Sequence, residues 1–243
     1  MMHKDIKLIV YQIKRIGKDN LMLLLLVYPA LLAAVGKLSI PFFRDAFIED
    51  FDLMNHYPAI LVFFIIANPY IYGALAAFTL LDEREENVLL AIRVTPLTLS
   101  HYLGTKVFFF SIVSILSGMF ITWFLDLVTI SFVESFVINT LIAMSAPFSM
   151  ILINSFANNR VEGFALVKGT SLMIILPLTA FYVPEKWNLL LGCIPGYWPA
   201  MSINKLANPS FGFMPYWGYS LAGFLYILIL IALCFRRFKR RIS

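Results

Sequence analysis

Residues 82–106, DEREENVLLAIRVTPLTLSHYLGTK, decide how the chain is read. They form the longest polar interruption bounded by two long apolar runs, and they mix acids, bases, a proline and helically spaced apolar positions. Glu83, Arg84, Glu85 and Glu86 stand where the preceding apolar run ends, while Val88, Leu89, Ile92 and Leu97 supply an apolar side that so many neighbouring charges keep out of lipid. Proline disfavours the helical conformation in the residue before it and is favoured at a helix start. Thr95 and Pro96 therefore predict a helix, a turn, and a second helix ending at Tyr102 and Lys106. A stretch built this way and joined directly to a membrane helix at each end reads as a docking surface. A solvated hairpin between two spans is the plainer alternative.

Working outward, the composition sets the class. Hydrophobic residues make up 60% of the 243 positions and charged residues 14%, where soluble domains carry about 25% charged residues. With a mean hydropathy of +0.84, this is an all-α, polytopic membrane protein. Apolar stretches of roughly 17–25 residues cross a hydrocarbon core, and six occur, near 20–36, 59–81, 107–125, 135–156, 165–183 and 217–235. They use up the length, so residues 1–243 read as a single transmembrane permease domain without an appended soluble domain.

Charge placement orients it. With both termini cytoplasmic, the inner segments hold 15 of the 19 Lys and Arg residues, the outer ones only Lys37, Arg44, Lys186 and Lys205. That is the positive-inside asymmetry of a multi-pass protein of the cytoplasmic membrane. The net charge of +5 is thereby accounted for by orientation, and nucleic acid is not an expected partner. A secretory signal peptide ending near Ala33, Ala34 and Gly36 competes for the first span. It fits less well because the apolar core begins only after Asp19.

Residues 1–19 place Ile6, Ile9, Val10, Ile13 and Ile16 at three- and four-residue spacing, with lysines and Arg15 mostly elsewhere on the wheel. Such a helix lies in the membrane interface with its basic side toward anionic lipid. Span two carries Asn68 and Pro69, a kink at a substrate path or an ordinary packing irregularity. Its Gly73 and Ala77 suit a close helix contact. Span four carries Asn139, Thr140, Ser145 and Pro147, which either line a translocation path or bond neighbouring helices. Glu134, at its outer edge, reads as solvated. Residues 37–57 read as an outer loop that is a short surface helix, part of an outer gate or a solvated connector, and Arg160 and Glu162 as a minor inner contact. Residues 184–216, with five prolines, many aromatics and three charges, are too apolar to hang free in water and read as a re-entrant or capping outer segment. Trp123, Trp187, Trp198 and Trp217 all fall on the outer side, as an aromatic belt does.

The central stretch resembles the membrane subunit of ATP-binding cassette exporters of the type-2 membrane-domain class. In that family span two is followed by roughly Arg-Glu-x-Gly-Thr-Leu, then Val-Thr-Pro-Leu-Ser, then Tyr-Leu-x-Gly-Lys entering span three. Arg84, Glu85 and Leu89 match the first part, Val94, Thr95, Pro96 and Leu97 the second, and Tyr102, Leu103 and Lys106 the third. Asn87 and Val88 stand where glycine and threonine are usual, and Gly104 falls one position early. The IPGYWP run at Ile194 to Pro199 is similar to small permeases of drug or peptide export. The resemblance implies a coupling helix seated on a separate ATPase, with Glu83, Arg84, Glu85, Leu89, Thr95, Pro96, Tyr102 and Lys106 as coupling residues. It also implies a second membrane subunit, identical or homologous, beside the lipid bilayer.

No phosphate-cradling G-x-x-x-x-G-K-[ST] occurs, so ATP and magnesium are expected on a partner ATPase and no cofactor on this chain. No hydrolase elbow or H-E-x-x-H pair appears. His3, His56 and His101 lie at three separated boundaries, so neither a metal site nor enzyme activity is expected. Cys193 and Cys234 fall on opposite faces of the membrane. The expected function is the permease half of an ATP-driven exporter of a hydrophobic or amphipathic substrate, such as a drug, antimicrobial peptide or lipid-like molecule. Asn68, Pro69, Asn139, Thr140 and Ser145 mark the candidate path. A polysaccharide exporter of the same class, an ion-coupled carrier and a transport-silent assembly subunit are the alternatives.

Overall fold

The computed structural model describes residues 2–47, 52–95 and 97–242. Pro96 of the coupling stretch lies outside the described residues. Among those described there is no strand, and six helices are long and apolar enough to cross a membrane. The spans are Asn20–Phe47, Leu53–Glu85, Leu99–Leu125, Phe132–Phe156, Arg160–Phe181 and Tyr216–Phe238. This is the all-α, six-span architecture that the apolar runs predict.

Helix α1 (Met2–Ile16) is amphipathic and leads into α2 (Asn20–Phe47), span one. Ile6, Val10 and Ile13 point outward, whereas Gln12 and Ile16 are buried. Helix α2 runs well beyond the end of its apolar core, so residues 37–47 are helical as a continuation of span one, neither a separate surface helix nor a solvated connector. Lys37 is accommodated because its ammonium donates to the Leu125 carbonyl at 3.4 Å, over the Phe124 ring.

A short 3₁₀ turn, Leu53–His56, is capped by the Asp52 side chain accepting from the Met54 amide. It opens α3 (Tyr57–Glu85), span two. This is the enclosed element of the bundle, with 83% of its most apolar window buried against 22% for spans one and six. Its small-residue face seats α7 (Ser145–Phe156). A Cβ on Gly73 would come within 2.7 Å of the Ala146 carbonyl oxygen, so only glycine permits this backbone approach. One turn on, Asn154 donates to the Ala77 carbonyl at 3.3 Å.

Helix α4 (Val88–Arg93) is the elbow helix, and α5 (Leu99–Leu125) is span three. The segment expected as a second elbow helix is the first two turns of α5 itself, so Tyr102 and Lys106 belong to the span. Thr98 caps it by accepting from the His101 amide.

Span four is two helices, α6 (Phe132–Ala143) and α7, broken at Met144. Pro147 supplies the reason: it has no amide to offer the Ala143 carbonyl, and its ring crowds that turn. At the start of α6, Glu134 and Ser131 form a reciprocal capping box, which gives that carboxylate a local partner at the span edge.

Span five comprises α8 (Arg160–Thr170), α9 (Leu172–Ile175) and a 3₁₀ turn, Leu176–Phe181, beginning at Pro177. Helix α10 (Glu185–Asn188) and a further 3₁₀ turn, Leu189–Cys193, lead to α11 (Tyr197–Ala207). Tyr197, Ala200, Met201 and Ile203 of α11 are buried against α3, α6 and α12 (Tyr216–Ile242), span six.

Candidate functional site

The elbow begins where α3 ends. Asn87 adopts φ 59° and ψ 18°, the left-handed conformation that lets the chain turn from α3 into α4. Glycine is favoured in that conformation, and asparagine is among the side chains that tolerate it. Asparagine in place of the family's glycine therefore preserves the turn. The far side of α4 closes through Thr95, whose hydroxyl donates to the Ile92 carbonyl at 2.7 Å and accepts from the Leu97 amide at 3.3 Å.

Five of the predicted coupling residues are turned inward. Glu83 and Lys106 form an ion pair at 2.7 Å with both side chains 0% exposed. The Lys106 ammonium also donates to Thr79 at 3.1 Å and stands over the Tyr102 ring. Gln12 donates to the Tyr102 hydroxyl at 3.4 Å, so α1, α3 and α5 meet in one buried polar cluster. A buried pair of this kind contributes little net stability, because desolvation offsets the attraction. Its consequence is geometric: neither helix end slides past the other without uncovering a charge. Arg84 reaches sideways and donates to the carbonyls of Asn154 and Ala157 at 3.4 Å each, covering the end of α7. Leu89 is buried with Ile92 beneath the elbow.

The outward surface is different. Glu85 and Thr95 are exposed, as are Leu90 (56%) and Val94 (88%). Two bare aliphatic side chains flanked by an acid and a hydroxyl make a small amphipathic knob held on a buried base. Leu90 is an exposed elbow residue that the sequence reading did not single out, because helical spacing alone did not say which side of a six-residue helix would face out.

Around the knob, charges tie the elbow to its neighbours. Arg15 pairs with Glu86 at 2.9 Å, and Arg160 with Asp19 at 2.6 Å and Asp82 at 3.1 Å. The Arg160 hydrogen bond holds the Asp19 carboxyl below its ordinary pKa. Arg160 is thus engaged inside the molecule, while Glu162 accepts from the Asn158 amide at 2.7 Å.

The predicted path residues lie deeper. Asn68 donates to the Ser114 carbonyl at 2.8 Å, and Asn139 to the Ser135 carbonyl at 2.8 Å and the Thr122 hydroxyl at 3.1 Å. Gly118 lies between the two asparagines, and a Cβ there would run into the Asn139 Oδ1. The carbonyl oxygens of both side chains lack a protein partner. This makes a polar seam joining α3, α5 and α6. Pro69 and Ser145 are buried, whereas Thr140 lines a separate groove between α5, α7 and α12. No group of three or more metal-ligating side chains occurs among the described residues.

Comparison with known proteins shows the family. A family model described as "Fluoroquinolones export permease protein Rv2686c-like" matches residues 12–235. Two relatives from Mycobacterium tuberculosis, the fluoroquinolones export permease proteins MT2760 (strain CDC 1551 / Oshkosh) and Rv2686c (strain ATCC 25618 / H37Rv), are each 29% identical over 229 residues. The alignment covers 92% of this chain and 89% of each relative. No solved structure matches the chain.

Proposed function

The chain belongs to the Rv2686c-like fluoroquinolones export permease family, and on that premise we propose that it is the membrane subunit of an ATP-driven exporter of amphipathic, drug-like molecules. A separate ATPase chain binds and hydrolyses ATP with magnesium, docks on the α4 knob, and works on two such membrane subunits side by side. Both termini and the elbow face the cytoplasm, in keeping with the distribution of Lys and Arg.

The observation that carries this reading is the contrast between the two sides of the elbow. Glu85, Leu90, Val94 and Thr95 are exposed on a short helix whose base is tied to spans two and three through the buried Glu83–Lys106 pair. A push on the knob is therefore delivered to both spans together. Pro96 belongs to the same turn by sequence. The seam at Asn68 and Asn139, with the buried Pro69 and Ser145, is the proposed route for substrate, and Thr140, which faces the separate groove, is left off it. The break at Met144 supplies the joint that lets span four open it. Helix α11 closes the outer end.

The test is export of a fluoroquinolone into inside-out vesicles carrying this chain and its copurifying ATPase. Glu85→Lys reverses the charge on the knob, and the expected result is loss of ATP-dependent uptake and of ATPase copurification with the chain still in the membrane. Undiminished ATP-driven uptake in that variant refutes the docking assignment. Uptake that needs an ion gradient and no ATP refutes the exporter reading.

A further inference from the structure

A groove of about 540 Å³ opens between α5, α7 and α12, apart from both the knob and the asparagine seam. Its walls are apolar, built by Leu103, Val107, Ile151, Leu228, Ile231 and Phe235. It extends along α5 from Ser100 at the elbow end to Ile115, which at 1.5 Å per residue is about 22 Å. At about 30 Å³ per methylene-sized group, 540 Å³ holds one fatty-acyl chain. A helix, about 10–12 Å across, needs more room.

The elbow end of the groove is cationic. Phe235 and Phe238 line it, the exposed Arg236 and Arg237 lie between them in α12, and the α12 sequence runs on with further Lys and Arg and no acid. Basic residues at a membrane surface attract anionic lipid. An apolar slot one chain wide, ending beside a cationic helix terminus, matches a molecule with a long hydrocarbon tail and a negative head. We infer that the groove binds one acyl chain of an anionic glycerophospholipid from the elbow-side leaflet, with its phosphate against the basic end of α12.

Gly104 offers a clean handle. It lines the groove, and a Cβ there meets nothing within 4 Å. Gly104→Phe therefore fills the slot without displacing the core. The experiment is native mass spectrometry of the detergent-purified full chain titrated with phosphatidylglycerol or phosphatidylethanolamine of matched acyl chains. The unmodified chain is expected to hold one phosphatidylglycerol about tenfold more tightly than phosphatidylethanolamine, a preference that weakens at high salt. Gly104→Phe removes that retention, and the pair Arg236→Gln and Arg237→Gln removes the preference while leaving chain binding in place. Ser111→Leu fills the same slot from a second position, should Gly104→Phe fail to fold. Equal retention of the two lipids by the unmodified chain, or unchanged retention in a folded slot-filling variant, overturns the inference. So does one-for-one displacement of the lipid by a fluoroquinolone, which would place the groove on the transport route.

Discussion

Removing one partner of the buried pair under the elbow is the sharpest perturbation available. Glu83 and Lys106 are 2.7 Å apart and fully covered. At an effective dielectric constant of about 20 their attraction is about 6 kcal/mol, most of it offset by the hydration both charges give up. Lys106→Met keeps the length of the side chain and deletes the ammonium, so Glu83 is left buried with no counter-charge. The expected cost is about 3–5 kcal/mol. At roughly 2–4 °C per kcal/mol for a chain of this size, the melting temperature falls by about 6–20 °C. The double variant Glu83→Gln with Lys106→Met has no charge to strand and is expected to recover most of that loss. Thermal unfolding of the detergent-purified chain, followed by circular dichroism, measures both. The double variant should nevertheless export poorly, because its helix ends are free to slide. A single variant as stable as the parent, or a double variant no better than the single, would refute the reasoning.

Other substitutions probe separate parts. Leu90→Asp or Val94→Asp on the exposed knob should leave the stability within about 0.5 kcal/mol of the parent, yet abolish ATPase copurification. Asn87→Val forces a β-branched side chain into a left-handed turn and should cost about 1–2 kcal/mol, whereas Asn87→Gly should be close to neutral; thermal unfolding separates them. Gly73→Leu presses against the backbone of α7 and should reduce the yield of folded protein, read by size-exclusion chromatography. Asp19 has a lowered folded pKa through Arg160, so its contribution is present above the ordinary value of 3.8 and is lost as pH falls through the lower folded one. Asp19→Asn should therefore destabilise the chain at neutral pH and flatten this part of its acid sensitivity in a pH series of melting curves.

The spans were legible because each needs only a run of apolar residues, and such runs announce themselves. Their ends were less so. Helix α2 continues through Lys37 because a carbonyl on span three receives the ammonium, a partner 88 residues away that no local pattern reveals. The break in span four was not read from the sequence although Pro147 is its cause, and the left-handed turn at Asn87 was not read either, since asparagine stands there where the resemblance has glycine. The pairing of Glu83 with Lys106 was not readable. Both residues stood out as charged, but that they meet away from water depends on how α3 and α5 pack. The family resemblance made Glu83, Tyr102 and Lys106 coupling residues alongside Glu85 and Thr95, but folding turns the first three inward and leaves Glu85, Leu90, Val94 and Thr95 exposed.

The elbow grows from the most enclosed helix of the bundle, the one that touches spans one, three and four and α11 at once. A lever fixed to an axle behaves unlike one fixed to a rim. A small rotation at its handle is shared by every neighbour in the same instant, and none of them needs a handle of its own.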